Sequence, residues 1–189
     1  MEIRLKKLNI GTFLMHRNEL YNLLDTNRSR LEPWFWWASK QKTPNKARFS
    51  LLVLMFILDT YRKQITHKFN SKKLYDEQFI IYTDEKIGGM FGLDNIDTFN
   101  ARNAEMWGLA FNRNPIILTD TAISKLENYC ITDLKLDSLY TKVQSTNRAS
   151  KICNIRNGYT LTKFEKNVRV SARNPNIVDM CTYVKQLTR

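Results

Sequence analysis

The stretch SLYTKVQSTNRASKICNIRNGY, from Ser138 to Tyr159, decides the fold that the sequence predicts. Its first part, Leu139–Gln144, alternates between two kinds of side chain, as a strand with two different faces does. Ser145–Asn147 offers three residues that can cap a helix, and Gly158 stands where a helix ends in a residue with positive φ. Between them, helical spacing relates four residues: Ala149, Ile152, Cys153 and Arg156. The pattern predicts a strand, a capped helix and a glycine stop, and it is also that of an ordinary strand–helix–strand corner.

Length and composition predict one globular domain over residues 1–189. The longest apolar run, Leu51–Leu58, is too short to cross a bilayer, and no signal sequence is visible, so we expect a cytoplasmic protein without a membrane contact. The three cysteines and two histidines lie far apart in the sequence, without metal-ligand spacing. We therefore expect neither a metal site nor a disulfide framework.

The chain is strongly basic, with a formal net charge of +12. An excess of this size favours a polyanionic partner, such as nucleic acid, a ribonucleoprotein surface or a phosphorylated cofactor. The alternative is that scattered lysines simply keep the protein soluble. No nucleic-acid-binding motif of a defined fold accompanies the charge.

Periodicity along the chain predicts the element order β-α-α-β-β-β-α-β-α-β-β. The first helix is predicted over Phe13–Leu24 and the third over Thr119–Leu134. The second, Lys46–Lys68, carries an almost continuous apolar run, which we interpret as burial on more than one side within the domain, with a second subunit as the alternative. A hairpin is predicted where QFIIYT ends at Thr83 and KIGGMFGL begins at Lys86.

Four large rings follow one another in the segment LEPWFWW: Trp34, Phe35, Trp36 and Trp37. They cannot all face one core from a regular element, so we expect part of the cluster to line a cleft or a partner surface. Such rings can stack on a planar acceptor, for example a nucleobase or an aromatic side chain. The other interpretation is a partly exposed edge of the core.

Together these segments resemble the RimJ/RimL-like branch of the GNAT acetyltransferases. The strand–Asn–x–x–Ser–helix–Gly–aromatic arrangement around Asn147 and Ser150 is similar to the end of that domain. IGGMFGL, NIDTFNARN and AEMWGL follow the order of its central segments, and LEPWFWW is similar to a segment that borders its acceptor site. The resemblance covers most of residues 3–159.

The resemblance implies a single α/β GNAT domain, with a mixed central sheet whose strands splay around the cofactor and with helices on both faces. It implies an N-acyltransferase that moves an acetyl group from acetyl-CoA to an amine. The acceptor would be a protein N-terminus, a ribosomal or nucleic-acid-associated protein, or a nucleotide-like small molecule.

The resemblance also assigns residues to acetyl-CoA. The strands ending near Phe111 and Ser145 would splay, and Gly108 would permit a bulge at which the backbone pairs with the pantetheine arm. The residues assigned to this arm are Trp107, Gly108, Leu109, Asn147 and Ser150. The pyrophosphate would lie at the start of the next helix, against Arg113, Asn114, Ile116, Ile117, Leu118 and Thr119. The acceptor would contact Trp34, Trp36 and Trp37.

The pyrophosphate loop departs from the family pattern. Asn114 and Ile116 stand where glycines are expected, and Pro115 has no N–H to donate. Arg113 could supply charge to the phosphates in their place. The loop therefore implies either weaker binding of CoA or loss of the cofactor.

Three side chains are candidates for proton transfer. Glu105, just before the splayed strand, would act as the base for the amine, and the alternative is a surface glutamate that pairs with a basic residue. Tyr159 and Ser150 are candidates for protonating the thiolate leaving group. The rival function is a catalytically inactive GNAT-fold protein that binds RNA or a protein partner through its basic, aromatic surface.

Overall fold

The computed structural model describes residues 2–111, 115–171 and 174–188. These residues form a seven-stranded sheet and four α-helices. The strands are β1 (Ile3–Lys7), β2 (Tyr75–Thr83), β3 (Lys86–Asp97), β4 (Asn103–Ala110), β5 (Ser138–Gln144), β6 (Thr160–Ser171) and β7 (Asn174–Gln186). The helices are α1 (Ile10–Leu31), α2 (Lys46–Phe69), α3 (Pro115–Thr132) and α4 (Arg148–Arg156), with a 3-10 turn at Trp36–Ala38. The predicted element order is confirmed.

The strands lie in the order β1-β2-β3-β4-β5-β7-β6. Neighbouring strands are antiparallel except for β4 and β5, which are parallel. A parallel pair needs a crossover connection, and α3 provides it. The mixed sheet that the resemblance implied is therefore present.

The hairpin between β2 and β3 turns at Asp84 and Glu85. Their φ angles are 46° and 70°, and Thr83 pairs with Lys86 across the turn. Two positive φ angles in a two-residue loop give a turn whose twist matches that of the flanking strands. The predicted hairpin is confirmed, with both strands longer than the sequence pattern indicated.

The sheet carries an apolar core on each face. On one face, Leu20 of α1 and Ile57 of α2 belong to the same core as Ile80 of β2. On the other face, Leu126 of α3 belongs to the same core as Ile81. Successive residues of a strand point to opposite faces, so these two neighbours in β2 anchor helices on opposite sides of the sheet.

The first helix extends beyond the predicted Phe13–Leu24. Asn9 caps it by accepting a hydrogen bond from the Thr12 amide at 2.8 Å. Near its other end Arg28 is buried, and its guanidinium donates to the carbonyl oxygens of Ala38 (2.6 Å) and Thr43 (2.7 Å). A search for apolar periodicity misses these last turns because hydrogen bonds, not apolar contacts, compensate the burial of this cation.

α2 is buried on one side only, which corrects the prediction of burial on several sides. Ile57 is 2% exposed, whereas Met55 and Leu58 are 63% and 56% exposed. A continuous apolar run indicates no particular face of a helix, and here the sheet covers one face alone. None of the described helices is long and apolar enough to cross a membrane.

Two glycines make room for aromatic rings on the neighbouring strand. A Cβ atom on Gly108 would lie 2.2 Å from the Phe91 ring, and one on Gly92 would lie 2.2 Å from the Trp107 ring. β3 and β4 pair without a shift of register from Gly89 to Asp94. The expected bulge at Gly108 is therefore absent from this strand pair, and its lack of a side chain accommodates Phe91 instead.

Candidate active site

The sheet opens between β4 and β5. The two strands pair at three positions, Asn103–Ser138, Ala104–Leu139 and Glu105–Tyr140. Beyond them β4 continues along β3, while β5 continues along β7, and none of the described strands fills the space between. The two halves of the sheet thus hold the strands apart, in the splayed arrangement that the resemblance implied. We call this space the split.

The backbone of β4 presents polar groups to the split. The amide of Phe111 donates to the carbonyl oxygen of Gly88 on β3 at 2.8 Å, in register with the β3–β4 pairing. Hydrogen-bonding direction alternates along an antiparallel strand, so the N–H and C=O groups of Trp107 and Leu109 point toward β3, and those of Gly108 and Ala110 point toward the split. Of the three residues assigned to the pantetheine arm on β4, Gly108 is thus the one whose backbone faces it.

The aromatic segment approaches the split on the face of α1 and α2. The Phe35 ring lies 6.2 Å from the ring of Trp107 and 5.5 Å from that of Trp37, centroid to centroid. Trp34 and Trp37 are half-buried, and Trp37 packs against the core of this face. The side chain of Trp36 lies outside the part of the structure that is described.

Two arginines that the sequence analysis did not single out position this region. Arg28 holds the segment after the 3-10 turn through Ala38 and Thr43, as described above. Arg30 donates to the carbonyl oxygens of Ala110 (2.5 Å) and Phe111 (3.2 Å), at the end of β4. The sequence shows that α1 ends in basic residues. The carbonyl oxygens that they bind can be identified only from the fold.

Glu105 forms an ion pair between β4 and β5 at the apex of the split, the point where the two strands separate. Its Oε2 lies 3.0 Å from Lys142 Nζ on β5. Burial alone would lower the pKa of Lys142, but the hydrogen bond and the negative charge of Glu105 raise it, so this ammonium stays charged. The candidate base therefore lies at the last paired position of β4 and β5, with one oxygen bound by a lysine.

Asn147 and Ser150 lie at the start of α4, where the two strands are apart. Asn147 caps the helix by accepting from the Ser150 amide at 3.1 Å. Asn154 ties this turn to β5, since its amide group donates to the Ser150 carbonyl at 3.0 Å and accepts from the Thr141 hydroxyl at 3.0 Å. Sequence reasoning missed this pair, because a polar strand residue and a polar helix residue each read as solvent-facing.

Tyr159 lies under the split on the face of α3 and α4. It is 3% exposed, and its hydroxyl group is 3.8 Å from the sulfur of Met106 on β4. Burial, followed by the negative charge of Glu127, raises the pKa of Tyr159, so the phenol keeps its proton at neutral pH. The phenol therefore carries a proton, and the same burial makes it a weaker acid than an exposed tyrosine.

The predicted pyrophosphate site divides between described and undescribed residues. Arg113 and Asn114 lie outside the described residues. The predicted start of the third helix at Thr119 is corrected to Pro115, so 116–118 belong to the first turn of α3 rather than to a loop. Proline suits the first position of a helix, because the N–H that it lacks would have no intrahelical partner there. The half-buried Thr119 follows in the same helix.

An ion pair joins α3 to α4 near this site. Asp120 accepts two hydrogen bonds from Arg156, at 2.6 and 2.7 Å, and a third from Asn157 at 2.8 Å. Paired bonds of this kind fix both direction and distance. The start of α3 is thus held against the end of α4, on the same side of the sheet as Tyr159.

No protein-family model matches the chain, and no curated protein matches it by sequence. Solved structures do match over nearly the whole length. A RimL ribosomal L7/L12 alpha-N-protein acetyltransferase in complex with coenzyme A is 16% identical, with a TM-score of 0.74 over 98% of this chain and 94% of its own.

Two further matches have the same extent. The acetyl transferase from Salmonella typhimurium that modifies the N-terminal serine of ribosomal protein L7/L12 is 15% identical, with a TM-score of 0.70 over 98% of this chain and 95% of its own. The spermidine N-acetyltransferase from Vibrio cholerae, in complex with CoA and spermine, is 17% identical, with a TM-score of 0.66 and the same shares. The seven-stranded sheet, its split and the similarity over the full length agree: this chain has the fold of the GNAT N-acetyltransferases.

Proposed function

We propose that this chain is an N-acetyltransferase that moves the acetyl group of acetyl-CoA to an amine. The observation that carries the proposal is the separation of β4 and β5 after three residue pairs. Where two neighbouring strands separate, the edges that face each other carry backbone groups without a strand partner. A linear ligand with amide groups can pair with these groups. The pantetheine arm of CoA is such a ligand.

The chain's own residues suit the parts of acetyl-CoA. Gly108 would pair with the arm, and Asn147 would reach it from the start of α4. The first turn of α3, at 116–118, would supply N–H groups to the pyrophosphate at the positive end of the helix dipole. Arg113 would add charge there. Two of the similar structures contain CoA, which supports the assignment of the ligand.

Acetyl-CoA would supply an acetyl group already activated as a thioester. The protein would bind the amine beside that group, remove a proton from its nitrogen and return one to the departing sulfur. Glu105, at the last paired position of β4 and β5, is the first candidate to accept the amine proton. The neutral Tyr159 and the half-buried Ser150 are the candidates for the donor.

The acceptor side would be the face of α1 and α2, where Trp34, Trp36 and Trp37 lie between the two helices in sequence. Two of the proteins with similar structures act on an N-terminal serine of a ribosomal protein and on spermidine. We therefore place the acceptor among amines of protein N-termini, ribosome-associated proteins and small molecules, including nucleotide-like ones.

The test is an acetyl-transfer assay that measures release of the free CoA thiol. A peptide beginning with serine, spermidine and purified ribosomal protein would each be offered with acetyl-CoA. We expect thiol release to require one of these amines and the product to gain one acetyl group by mass spectrometry. Release of no thiol with any of the acceptors would overturn the proposal.

A second candidate is a non-catalytic protein of this fold that binds RNA or a protein. The ion pair between Glu105 and Lys142 favours it, because a carboxylate bound to a lysine is less available to an amine. The net charge of +12 also favours a polyanionic partner. Binding of ribosomal RNA in physiological salt, without acetyl transfer, would make this candidate the better one.

A further inference from the structure

Asp94 lies on β3, directly opposite Glu105. Opposite residues of an antiparallel pair project to the same face of the sheet. Glu105 is in turn the partner of Tyr140 across the last paired position of β4 and β5. Asp94 therefore lies beside the point where β4 and β5 separate, on the face of α1 and α2, which also carries Trp107.

Asp94 is half-buried, and its Oδ1 is buried without a hydrogen-bond partner among the described residues. A buried acceptor that has no donor costs free energy. An ammonium group carries three donors and a positive charge. A cationic amine bound on this face would therefore give this Oδ1 atom the donor that it lacks.

Charged and titratable groups act on Asp94 from four elements: Lys63 on α2, Asp76 on β2, Glu105 on β4 and Tyr140 on β5. Lys63 pairs with Asp76 and Lys142 pairs with Glu105. No ion pair to Asp94 occurs within the described ranges. Burial and then the negative charge of Asp76 raise the pKa of Asp94 to about 6, although a hydrogen bond between its carboxyl group and the Trp107 side chain lowers it.

We infer that Asp94, rather than Glu105, takes the proton from the acceptor amine, a role that rests on the proposed acetyl transfer. Glu105 then holds Lys142 at the apex and acts as a positioning residue. A base is most effective when its pKa lies near the working pH, and Asp94 meets that condition far better than an ordinary aspartate.

The proton and bond changes balance without another reactant. The acceptor ammonium gives one proton to the Asp94 carboxylate, and the neutral nitrogen forms a C–N bond to the thioester carbonyl carbon. The C–S bond breaks, and the sulfur leaves with the electron pair. The nitrogen loses a second proton, which the sulfur receives, and Asp94 later returns its own proton to water.

The first experiment needs no acetyl transfer. The side-chain carboxyl carbon of Asp94, assigned by comparison with Asp94→Asn, is followed by NMR between pH 4 and 8 in the ligand-free protein. We expect a midpoint near 6, and a lower midpoint after addition of spermidine or of a peptide beginning with serine, because a bound cation stabilises the carboxylate. Asp97, on the same strand, serves as the control whose signal the amine leaves unchanged. A midpoint near 4, or one that the amine does not move, would overturn the inference.

The second experiment is the pH dependence of kcat/KM in three proteins. The wild type should show an acidic limb near pH 6. Asp94→Asn should lose this limb and at least about 100-fold in rate, whereas Glu105→Gln should keep the limb. A limb that survives in Asp94→Asn with a rate within about threefold of the wild type would overturn the role of Asp94 alone. A wild type that acetylates none of the amines would overturn the proposed function, and this role with it.

Discussion

At the scale of single residues, Asn147 shows how one side chain can serve both the fold and the proposed site. Its oxygen caps α4 through the Ser150 amide, and the sequence predicted Asn147 as one of three residues that could cap this helix. Such a cap is predictable because it acts over three residues. Asp94 was not predictable, since its neighbours Asp76 and Glu105 come from other strands.

Replacing Asn147 by Ala should weaken both the helix and the binding of acetyl-CoA. Loss of the cap should lower the free energy of unfolding by about 1 kcal/mol, and loss of a hydrogen bond to the ligand should weaken binding by about 1–2 kcal/mol. Asn147→Asp is the matched control, because it keeps the capping oxygen and removes the amide donor. Calorimetry should show weaker binding in both variants, with the lower stability confined to Asn147→Ala. Unchanged affinity in both folded variants would remove Asn147 from the site.

Asp94→Asn should stabilise the protein above pH 7. The folded-state pKa of about 6 lies above the ordinary value of 3.8, so the folded protein binds the proton more tightly than the unfolded chain. The stability that this group contributes is therefore present below about pH 4 and is lost as the pH rises through about 6. Two pKa units correspond to about 2–3 kcal/mol, which is the gain expected for Asp94→Asn at pH 8 relative to pH 4.

Urea unfolding of both proteins across this pH range measures the difference directly. Asp97→Asn is the control with the opposite sign. Burial alone would raise the pKa of Asp97, but hydrogen bonds from the amides of Ala101, Asn100 and Phe99 lower it, so its contribution is lost as the pH falls. A gain for Asp94→Asn that is the same at pH 4 and pH 8 would contradict the raised pKa.

At the scale of elements, the β3–β4 pair shows what local pattern can and cannot predict. The resemblance implied a bulge at Gly108, in AEMWGL. The groups that approach Gly108 and Gly92 are the rings of Phe91 and Trp107, each placed by the register of the other strand. Register is a property of two strands, so the absence of a bulge from this pair could not be predicted from AEMWGL alone.

Gly108→Ala should destabilise the protein by about 1–3 kcal/mol, because its Cβ would lie 2.2 Å from the buried Phe91 ring. Gly11→Ala in α1 is the control. The nearest atom to a Cβ there is 3.4 Å away, and alanine favours a helix, so its stability should be unchanged or higher. Thermal unfolding of the two variants tests the comparison. Equal melting temperatures would show that the β3–β4 pair relaxes around the added methyl group.

At the scale of the whole molecule, the split results from the assembly of two half-sheets. β4 pairs with β3, and β5 pairs with β7, over longer stretches than β4 and β5 pair with each other. Alternation and capping in Ser138–Tyr159 predicted β5 and α4, and the order of elements predicted the sheet. The exposure of α2 was not predictable, because a run of apolar residues does not indicate how many faces of the helix other elements will cover.

Binding of acetyl-CoA should weaken as salt increases. The net charge of +12 attracts the phosphates, and added ions screen charges that are exposed to solvent. Raising NaCl from about 50 mM to about 500 mM should weaken binding at least threefold, whereas acetylated pantetheine, which has no phosphate, should show no such change. Equal salt dependence of the two ligands would contradict an electrostatic contribution to the phosphates.

The most direct test of the split as the cofactor site is amide hydrogen exchange along β4, measured by NMR with and without saturating acetyl-CoA. We expect slower exchange at Gly108 and Ala110, whose backbone groups point into the split. The amides of Trp107 and Leu109 point toward β3 and serve as internal controls, with exchange that is already slow. Protection of Gly108 and Ala110 with little change at their neighbours would support the account. Saturating acetyl-CoA that leaves Gly108 and Ala110 exchanging as before would contradict it.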